Sequence, residues 1–547
     1  NALARSERKG GPKAILARHE AGAAFMADGY ARATGKIGVC CATSGPGATN
    51  LITGVANAYS DSISLLVITA QPAIEKFGLG AFQEGSCTGI NTMSMFESCT
   101  RYNTLVSHSA QLETKLLQAI SYTKSNRPGP AHLSIPLDIM RAKVEPRYGE
   151  QHLRAFINHE VVTSEKGLDL LLKYLSDAKK VTFVIGEGCS GAMNQLLELA
   201  ELQNWLMVTT PMAKGLISDF HPLYRGVFGL GGHESAREAL LPENADYVLV
   251  VGTALDEITT GGWDTEAVLS NRMIHISQNS EHLSRSILAK ACILGSPKLL
   301  LEQLFNWIPK TEKNQNIEYL SGSDGFPKHV KYRDKAVCFQ NTSPVKPQAL
   351  YWTLSQICPP NTYVLMDTGN SFLWGIHYWQ THNSAGVEDN LFHIGMGFAS
   401  MGWAIGASIG MALGNKSPVI CFTGDGSVLM SGQEMTVAKE HNLNILFVIL
   451  NDSHLGMIKH GQQLGGAENI GNELPKVDFA AMARAMGLQG HTVNKLTDLD
   501  TIGIDDIFKQ EGPCVLDVII DANEVPPMGS RMKVLAGGGG SACGGLS

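Results

Sequence analysis

Short continuous apolar runs alternate along this chain with longer stretches in which apolar residues recur at helical spacing. Continuous apolar runs are typical of strands buried on both faces, as in parallel sheets covered by helices. Over residues 1–150 we predict strands at 37–41, 65–69 and 131–135, with helices such as 21–34 and 49–60 between them. This alternation predicts a doubly wound α/β domain.

The same alternation recurs twice. We predict further strands at 181–185, 207–209, 247–251 and 273–276, and then at 419–423, 445–450 and 514–520. The fold class predicted is therefore α/β, with three doubly wound parallel-sheet domains at 1–150, 164–308 and 347–530. The polar segment 309–346 is predicted to be a linker or a helical excursion on the surface. The glycine-rich end, 531–547, is predicted to be a flexible tail or a mobile cover of a site.

The start of the chain predicts the end of a helix over residues 1–9 and a short strand at 14–17. An α/β domain normally has a strand before such a helix. We therefore expect the first domain to be truncated at its N-terminal side in this sequence.

Charge and cysteine usage narrow the class of protein. The net charge is −8 and the isoelectric point about 6.1, which disfavours nucleic-acid binding, since that needs concentrated positive charge. The 11 cysteines show no paired metal-ligand spacing, so we expect reduced thiols in a cytoplasmic protein. Apolar stretches stop well short of the ~20 residues of a membrane helix, so no membrane association is expected.

Two polar motifs follow neighbouring apolar runs in the third block. Gly424-Asp425-Gly426 comes after the predicted strand 419–423 and opens a helical stretch at 427–440, and Asn451-Asp452 ends the next predicted strand. In a parallel sheet both would lie at the carboxyl edge, where ligands bind. Carboxylates suit Mg²⁺, and the N–H groups of a helix start suit phosphate. Gly-Asp-Gly alone could be a plain strand-to-helix turn, but the matched pair favours a metal-bound diphosphate.

Glu20 and the segment 43–50 are the candidates in the first block. Glu20 precedes the apolar sequence AGAAFMA, and a carboxylate buried there would have a raised pKa and could exchange protons near neutral pH. The segment TSGPGATN lies between a predicted strand and a predicted helix, and its two glycines would let the backbone approach a ligand. The plainer alternatives are a first-turn glutamate stabilised by the helix dipole and an ordinary β–α turn.

In this order the motifs resemble those of the thiamine-diphosphate (ThDP) dependent superfamily, in particular its acetohydroxyacid (acetolactate) synthase branch. The resemblance covers nearly the whole chain and rests on ARHEAGAAFMADGYARATGKIGV, TSGPGATN, Phe82-Gln83-Glu84, Arg127-Pro128-Gly129-Pro130, Met401-Gly402 and the paired metal motif. It implies a pyrimidine-binding, a central and a diphosphate-binding domain. It also implies a homodimer or homotetramer, with ThDP between the first domain of one subunit and the third domain of its partner.

The resemblance implies a role for each matching residue. Glu20 corresponds to the glutamate that protonates the aminopyrimidine ring, and Ala399 to the residue whose carbonyl accepts from that ring. Met401 corresponds to the residue that keeps the cofactor bent, although it could also be a core methionine. Asp425 and Asp452, where the family usually has Asn, correspond to side-chain ligands of Mg²⁺. The other implied roles are a backbone carbonyl ligand (His454), diphosphate contacts (Asn370, Ser371, Gly424, Gly426, Ser427) and the substrate side (Phe82, Gln83).

Three places depart from the biosynthetic synthases. Gly461 stands where they carry a tryptophan, so a wall of the acceptor pocket is missing and the acceptor could be bulkier. Leu137 replaces a lysine. The segment 252–258 lacks the two arginines of the FAD-bearing synthases, which argues against FAD and leaves the central domain structural or able to hold another nucleotide.

The predicted function is ThDP-dependent carboligation of the acetolactate synthase type. The enzyme would decarboxylate a 2-oxo acid such as pyruvate and add the acyl carbanion equivalent to a second carbonyl compound. The alternative is a ThDP-dependent decarboxylase or lyase acting on a different, larger substrate. A remote third hypothesis is a non-catalytic nucleotide-binding homologue, which the intact Glu20, Asp425 and Asp452 disfavour.

Overall fold

The computed structural model describes residues 2–145, 147–148, 152, 154, 161–307, 319–382 and 389–529. Its strands form three sheets of four, six and six strands, and every pair of neighbouring strands in them is parallel. The predicted fold class is thereby confirmed. Among the helices of the described ranges, none is both long and apolar enough for a membrane span.

The first sheet has the strand order β1-β2-β4-β3. Successive residues of β2 point to opposite faces of this sheet. Leu65 and Val67 belong to one hydrophobic cluster and Leu66 to another, as expected for a sheet covered on both faces. The strands are β1 (Gly38–Ala42), β2 (Leu65–Gln71), β3 (Tyr102–Leu105) and β4 (Ala131–Pro136). The helices are Ala2–Glu7, Glu20–Thr34, Pro46–Ser60, Thr92–Glu97, Leu112–Thr123 and Leu137–Arg141.

The second sheet has the order β10-β9-β8-β5-β6-β7. Its strand order reverses between β5 and β8, which opens a crevice at the carboxyl ends of these two strands. The strands are β5 (Val181–Ile185), β6 (Leu206–Thr209), β7 (Tyr224–Val227), β8 (Tyr247–Val251), β9 (Met273–Ser277) and β10 (Ala291–Leu294). The helices are Glu165–Ser176, Met193–Gln203, Glu234–Glu238, Ser280–Leu283 and Pro297–Trp307.

The third sheet has the order β12-β11-β13-β14-β16-β15, with its reversal between β11 and β13. The strands are β11 (Tyr363–Met366), β12 (Phe392–Ile394), β13 (Val419–Gly424), β14 (Ile445–Asn451), β15 (Gln489–Val493) and β16 (Cys514–Ile519). The helices are Pro347–Ile357, Asn370–Tyr378, Trp403–Gly414, Asp425–Ser431, Met435–Glu440, Gly456–Leu464, Phe479–Ala485, Asp498–Ile502 and Ile504–Lys509.

The first and third domains of the chain pack together through the helices Glu20–Thr34 and Trp403–Gly414. Glycines let the two backbones touch, because a Cβ on Gly29 would overlap the carbonyl oxygen of Ala407 and one on Gly410 would overlap that of Met26. This close crossing lies next to both halves of the candidate site.

Two predicted elements are wrong. Residues 14–17 are not a strand; Ile15 and Ala17 instead pack against the core of the third domain. The helix predicted over 427–440 is interrupted by a 3₁₀ turn at Gly432–Glu434, where the buried Glu434 turns towards the first domain and accepts hydrogen bonds from the N–H groups of Arg18 and His19.

The described part of the predicted linker, 319–346, is packed rather than solvated. Phe326, Val330, Cys338 and Val345 are buried in it, and its backbone bonds to both the central and the third domain. The domain boundaries themselves stay a prediction. The predicted tail, 531–547, lies outside the described residues.

Candidate active site

Asp425 and Asp452 directly follow β13 and β14 at the carboxyl edge of the third sheet. These strands pair with Gly424 opposite Leu450, so the two carboxylates lie near each other. Burial and repulsion from Asp452 raise the pKa of Asp425 to about 7, and burial raises the pKa of Asp452. Two carboxylates held in this way favour a cation between them.

The hydrogen bonds of Asp425 leave one oxygen free for a ligand. Its Oδ1 accepts from the N–H of Gly426 at 2.7 Å, whereas its Oδ2 is buried without a hydrogen-bond partner. Within the described residues no group of three or more His, Cys, Asp or Glu side chains could hold a metal, so a cation here needs further oxygens from backbone carbonyls or from a bound ligand. The residues present therefore fit Mg²⁺ shared with a diphosphate.

Asn370 lies at the same edge. A Cβ on Gly456 would lie 2.6 Å from Asn370 Nδ2 and 3.1 Å from Asp452 Oδ2, so the amide and the carboxylate are neighbours, and Asn370 Oδ1 is buried and unpartnered. His454 is also close, since its N–H donates to Asp452 Oδ1 at 2.9 Å. Ser371 differs, because its hydroxyl donates to the carbonyl of Asp367 at 2.6 Å and its side chain is buried. Its predicted contact with a diphosphate stays a prediction.

The loop 395–402, between β12 and the helix Trp403–Gly414, carries Ala399 and Met401. Ala399 has a φ of 57°, a left-handed conformation that a non-glycine residue adopts at a cost and that is often found at functional sites. Met401 lies beside the metal edge, since a Cβ on Gly426 would be 3.3 Å from Met401 Cε. The structure thus brings this loop together with the Gly424-Asp425-Gly426 motif.

Asp367 is a site residue that the sequence prediction missed. It follows β11 and is fully buried. Its Oδ2 accepts from Thr423 Oγ1 (2.9 Å) and from the N–H of Gly402 (3.0 Å), and it also bonds the hydroxyl of Ser427. Burial raises its pKa, and these hydrogen bonds oppose the shift. In the sequence, Asp367 follows a short apolar run, which could have marked it as a residue at the end of a strand. That strand, β11, has only four residues and was not predicted.

Glu20 is the first residue of the helix Glu20–Thr34 and is half-buried. Asn50 Nδ2 donates to Glu20 Oε2 at 3.0 Å, and a Cβ on Gly47 would lie 3.4 Å from Glu20 Oε1. The segment 43–50 therefore surrounds the carboxylate. Asn50 lay inside the predicted motif, but its bond to Glu20 depends on how two helices meet and was not predicted.

Gln83 is brought to the same segment. A Cβ on Gly45 would lie 2.9 Å from Gln83 Cβ, and Gln83 has a φ of 56°. Phe82 beside it is 86% exposed. Gly461, in the helix Gly456–Leu464 of the third domain, borders open space, since a Cβ there would meet nothing within 4 Å.

No described contact joins the side chains of Glu20 and Asp425. The side-chain contacts of Glu20 in the described residues are with the first domain, and those of Asp425 are with the third domain. A ligand that needs both must therefore reach two groups that do not contact each other directly.

Family models match three parts of the chain. The N-terminal thiamine pyrophosphate binding domain matches residues 1–93, the central domain of thiamine pyrophosphate enzymes matches 168–304, and the C-terminal thiamine pyrophosphate binding domain matches 367–518. The chain belongs to the ThDP-dependent enzymes. The matched ranges contain Glu20 in the first part, and Ala399, Asp425 and Asp452 in the third, so both halves of the candidate site lie within the matched family domains.

Curated relatives place this ThDP enzyme in the acetolactate synthase-like branch. It is 30% identical to the large subunit of acetolactate synthase isozyme 1 of Escherichia coli (strain K12), over 95% of this chain and 90% of the relative. It is 31% identical to the large subunit of isozyme 3 of the same strain, over 90% and 85%. An X-ray structure from Mycobacterium smegmatis, provisionally described as a thiamin diphosphate-dependent enzyme, has the same fold, with a TM-score of 0.74, 21% identity and 94% of each chain covered.

The central domain of this ThDP enzyme borders a cavity of about 330 Å³ at the junction of all three domains. Carboxylates line it (Asp61, Glu187, Asp256, Asp389). Arg32 is the one arginine among the described residues that line the cavity. Its guanidinium forms ion pairs with Asp28 and Asp61. Burial raises the pKa of Glu187 to about 7, and its Oε2 has no hydrogen-bond partner.

Proposed function

We propose that this ThDP enzyme is a Mg²⁺-dependent carboligase of the acetolactate synthase type. It decarboxylates a 2-oxo acid such as pyruvate and adds the acyl carbanion equivalent to a second carbonyl compound. The observation that carries the proposal is the buried, unpartnered Asp425 Oδ2 beside Asp452. The cation of a metal-bound diphosphate would satisfy this oxygen, and the named relatives, acetolactate synthases, support the reaction type.

The chain supplies position and proton transfer, while ThDP supplies the nucleophilic carbon and the electron sink for decarboxylation. Asn50 holds the Glu20 carboxylate by one oxygen, so the other would be available to exchange a proton with the aminopyrimidine ring. The Ala399 carbonyl would accept from that ring, and Met401 would support it. Asp425, Asp452 and the His454 carbonyl would hold the cation, and Asn370 with the N–H groups after Gly424 would hold the diphosphate.

A second copy of the chain is part of this proposal. Large apolar side chains around the two half-sites face solvent in the single chain: Phe82, Phe398, Leu429, Met430 and Ile458. Exposed apolar patches of this kind mark interfaces, and a two-fold arrangement would place the first domain of one copy against the third domain of the other. We also propose a cytoplasmic protein, supported by free thiols at the ten cysteines of the described ranges.

The test is incubation of the protein with pyruvate, ThDP and Mg²⁺. We expect release of CO₂ and formation of acetolactate or a related 2-hydroxyketone, the same rate with and without added FAD, and loss of activity in Glu20→Gln. The matched control is Glu75→Gln, which changes an exposed glutamate of the same domain and should leave the rate unchanged. If no 2-oxo acid releases CO₂, the proposal is wrong.

The second candidate is a decarboxylase or lyase for a larger substrate. It is favoured by the open space at Gly461, where the biosynthetic synthases that the sequence resembles carry tryptophan. Product analysis with paired donors and acceptors separates the candidates. An aldehyde as the sole product, or turnover only with bulky 2-oxo acids, would favour this second function.

A further inference from the structure

Arg32 links the first domain to the third. It lies in the last turn of the helix Glu20–Thr34 with a buried side chain. Its Nε donates to Asp28 Oδ1 at 2.5 Å, its NH2 group donates to Asp61 Oδ2 at 2.8 Å, and its NH1 group donates to the carbonyl of Ile394 at 3.4 Å. Each side of the guanidinium thus has an acceptor, which fixes the orientation of both carboxylates.

The second oxygen of Asp61 reaches the loop 395–402. Asp61 Oδ1 accepts from the N–H of Gly397 at 2.8 Å. The approach is so close that a Cβ on Gly397 would lie 2.5 Å from Ser60 Oγ and 2.7 Å from Asp61 Oδ1. Arg32 thus holds one oxygen of Asp61 while the other accepts from the loop, and these two bonds connect the N–H of Gly397 to the helix that begins with Glu20.

Side-chain burial holds the loop on one side of Gly397 and not on the other. Met396 is buried in the core, whereas Phe398, next to Ala399, is 53% exposed. On the far side of Ala399, Thr368 Oγ1 donates to the Ser400 carbonyl at 3.3 Å, and Asp367 accepts from the N–H of Gly402. The strained Ala399 therefore lies between an anchor in the first domain and anchors in the third.

We propose that Asp61, oriented by Arg32, is a positioning residue for the cofactor: through Gly397 it sets where the Ala399 carbonyl and Met401 stand. The inference rests on the proposed roles of Ala399 and Met401. Asp61 touches neither cofactor nor substrate, and its effect passes through the loop backbone. ThDP affinity should therefore depend on this contact more than chain stability does.

The test measures ThDP binding at a fixed Mg²⁺ concentration through the quenching of tryptophan fluorescence. Thermal unfolding is measured in parallel. We expect both Asp61→Asn and Gly397→Ala to weaken ThDP binding by about tenfold, the effect of roughly one lost hydrogen bond. Gly397→Ala keeps the side chains of Asp28, Arg32 and Asp61 and adds a methyl group that forces the loop and Asp61 apart. If Asp61→Asn does not fold, the ThDP affinity of Gly397→Ala tests the proposal on its own.

Two controls separate positioning from stability. Val106→Ala truncates a buried core side chain of the first domain that is remote from Arg32 and Asp61, so it should lower thermal stability and leave the ThDP dissociation constant within about twofold. Gly191→Ala adds a methyl group where nothing lies within 4 Å and should change neither quantity.

The outcomes are distinguishable. If the wild-type protein binds ThDP and folded Gly397→Ala binds it equally well, the positioning role of Asp61 is overturned while the cofactor site stands. An equal loss of affinity in Val106→Ala would also overturn it, because the effect would then follow the stability of the first domain and not the contact with Gly397. Absence of ThDP binding by the wild-type protein would instead reject the proposed cofactor site itself.

Discussion

Two buried aspartates at the ends of neighbouring strands differ in one respect. Asp367 has its carboxylate bonded by Thr423 and by the backbone of Gly402, whereas Asp425 keeps one buried oxygen unpartnered. A satisfied buried carboxylate stabilises the fold, while an unsatisfied one costs free energy until a ligand binds. This contrast supports the ligand-binding role proposed for Asp425 and indicates a structural role for Asp367, although the two look alike in sequence.

Glu187 predicts a dependence of stability on pH. Burial is the main cause that raises its pKa from 4.5 to about 7. The folded state therefore binds a proton that the unfolded state releases, so this contribution to stability is complete below pH 4.5 and is lost as pH rises to about 7. Replacing Glu187 by Gln should raise the free energy of unfolding at pH 8 by up to about 3 kcal/mol, and the melting temperature should rise with it. At pH 4.5 the replacement should have little effect on either quantity.

The control for this prediction is Glu243→Gln, an exposed glutamate of the same domain. Its melting temperature should follow the wild type at both pH values. A gain from Glu187→Gln that is equal at pH 4.5 and pH 8 would contradict the assigned ionisation.

At the scale of elements, Asp367 joins two strand ends to a helix start. The helix Trp403–Gly414 begins without a side-chain cap of its own, and Asp367 accepts from the N–H groups of Gly402 and Ala404 in its place. Asp367→Asn should lower the free energy of unfolding by about 2 kcal/mol, because an amide NH₂ replaces an acceptor that faces donors. ThDP binding should weaken as well, since the loop 395–402 ends at this helix start.

Chemical denaturation and ThDP titration check this prediction together. The matched control is Asp500→Asn, at an exposed aspartate in the third domain. Unchanged stability in Asp367→Asn would mean that the carboxylate charge is not needed at the helix start.

At the scale of the whole molecule, the proposed two-fold arrangement of the half-sites predicts complementation between subunits. Glu20→Gln and Asp425→Asn should each be inactive alone. Co-expression of the two should restore about a quarter of the wild-type activity, because half of randomly assorted two-fold dimers are mixed and each has one intact site of two. Activity that stays at the level of the single variants would show that each site is built within one chain.

Much of this protein was determined by local sequence. The strands at 181–185 and 247–251 were predicted at their exact bounds, since continuous apolar runs between helical patterns admit few other structures. The Gly424-Asp425-Gly426 and Asn451-Asp452 motifs could be placed at one sheet edge because parallel strands end on the same side. Short strands such as β3 and β11 were missed because four residues carry too little pattern.

Tertiary structure alone decided the contacts that join distant segments. The hydrogen bond between Asp61 and Gly397 joins residues 336 positions apart in the chain. The hydrogen bond from the N–H of His19 to Glu434 joins residues 415 positions apart. No local periodicity in the sequence predicts either bond. The apolar run at 14–17 is a further example, because it packs on the third domain instead of pairing as a strand. Local patterns specify which residues are buried, but the partner of a buried group depends on how whole domains meet.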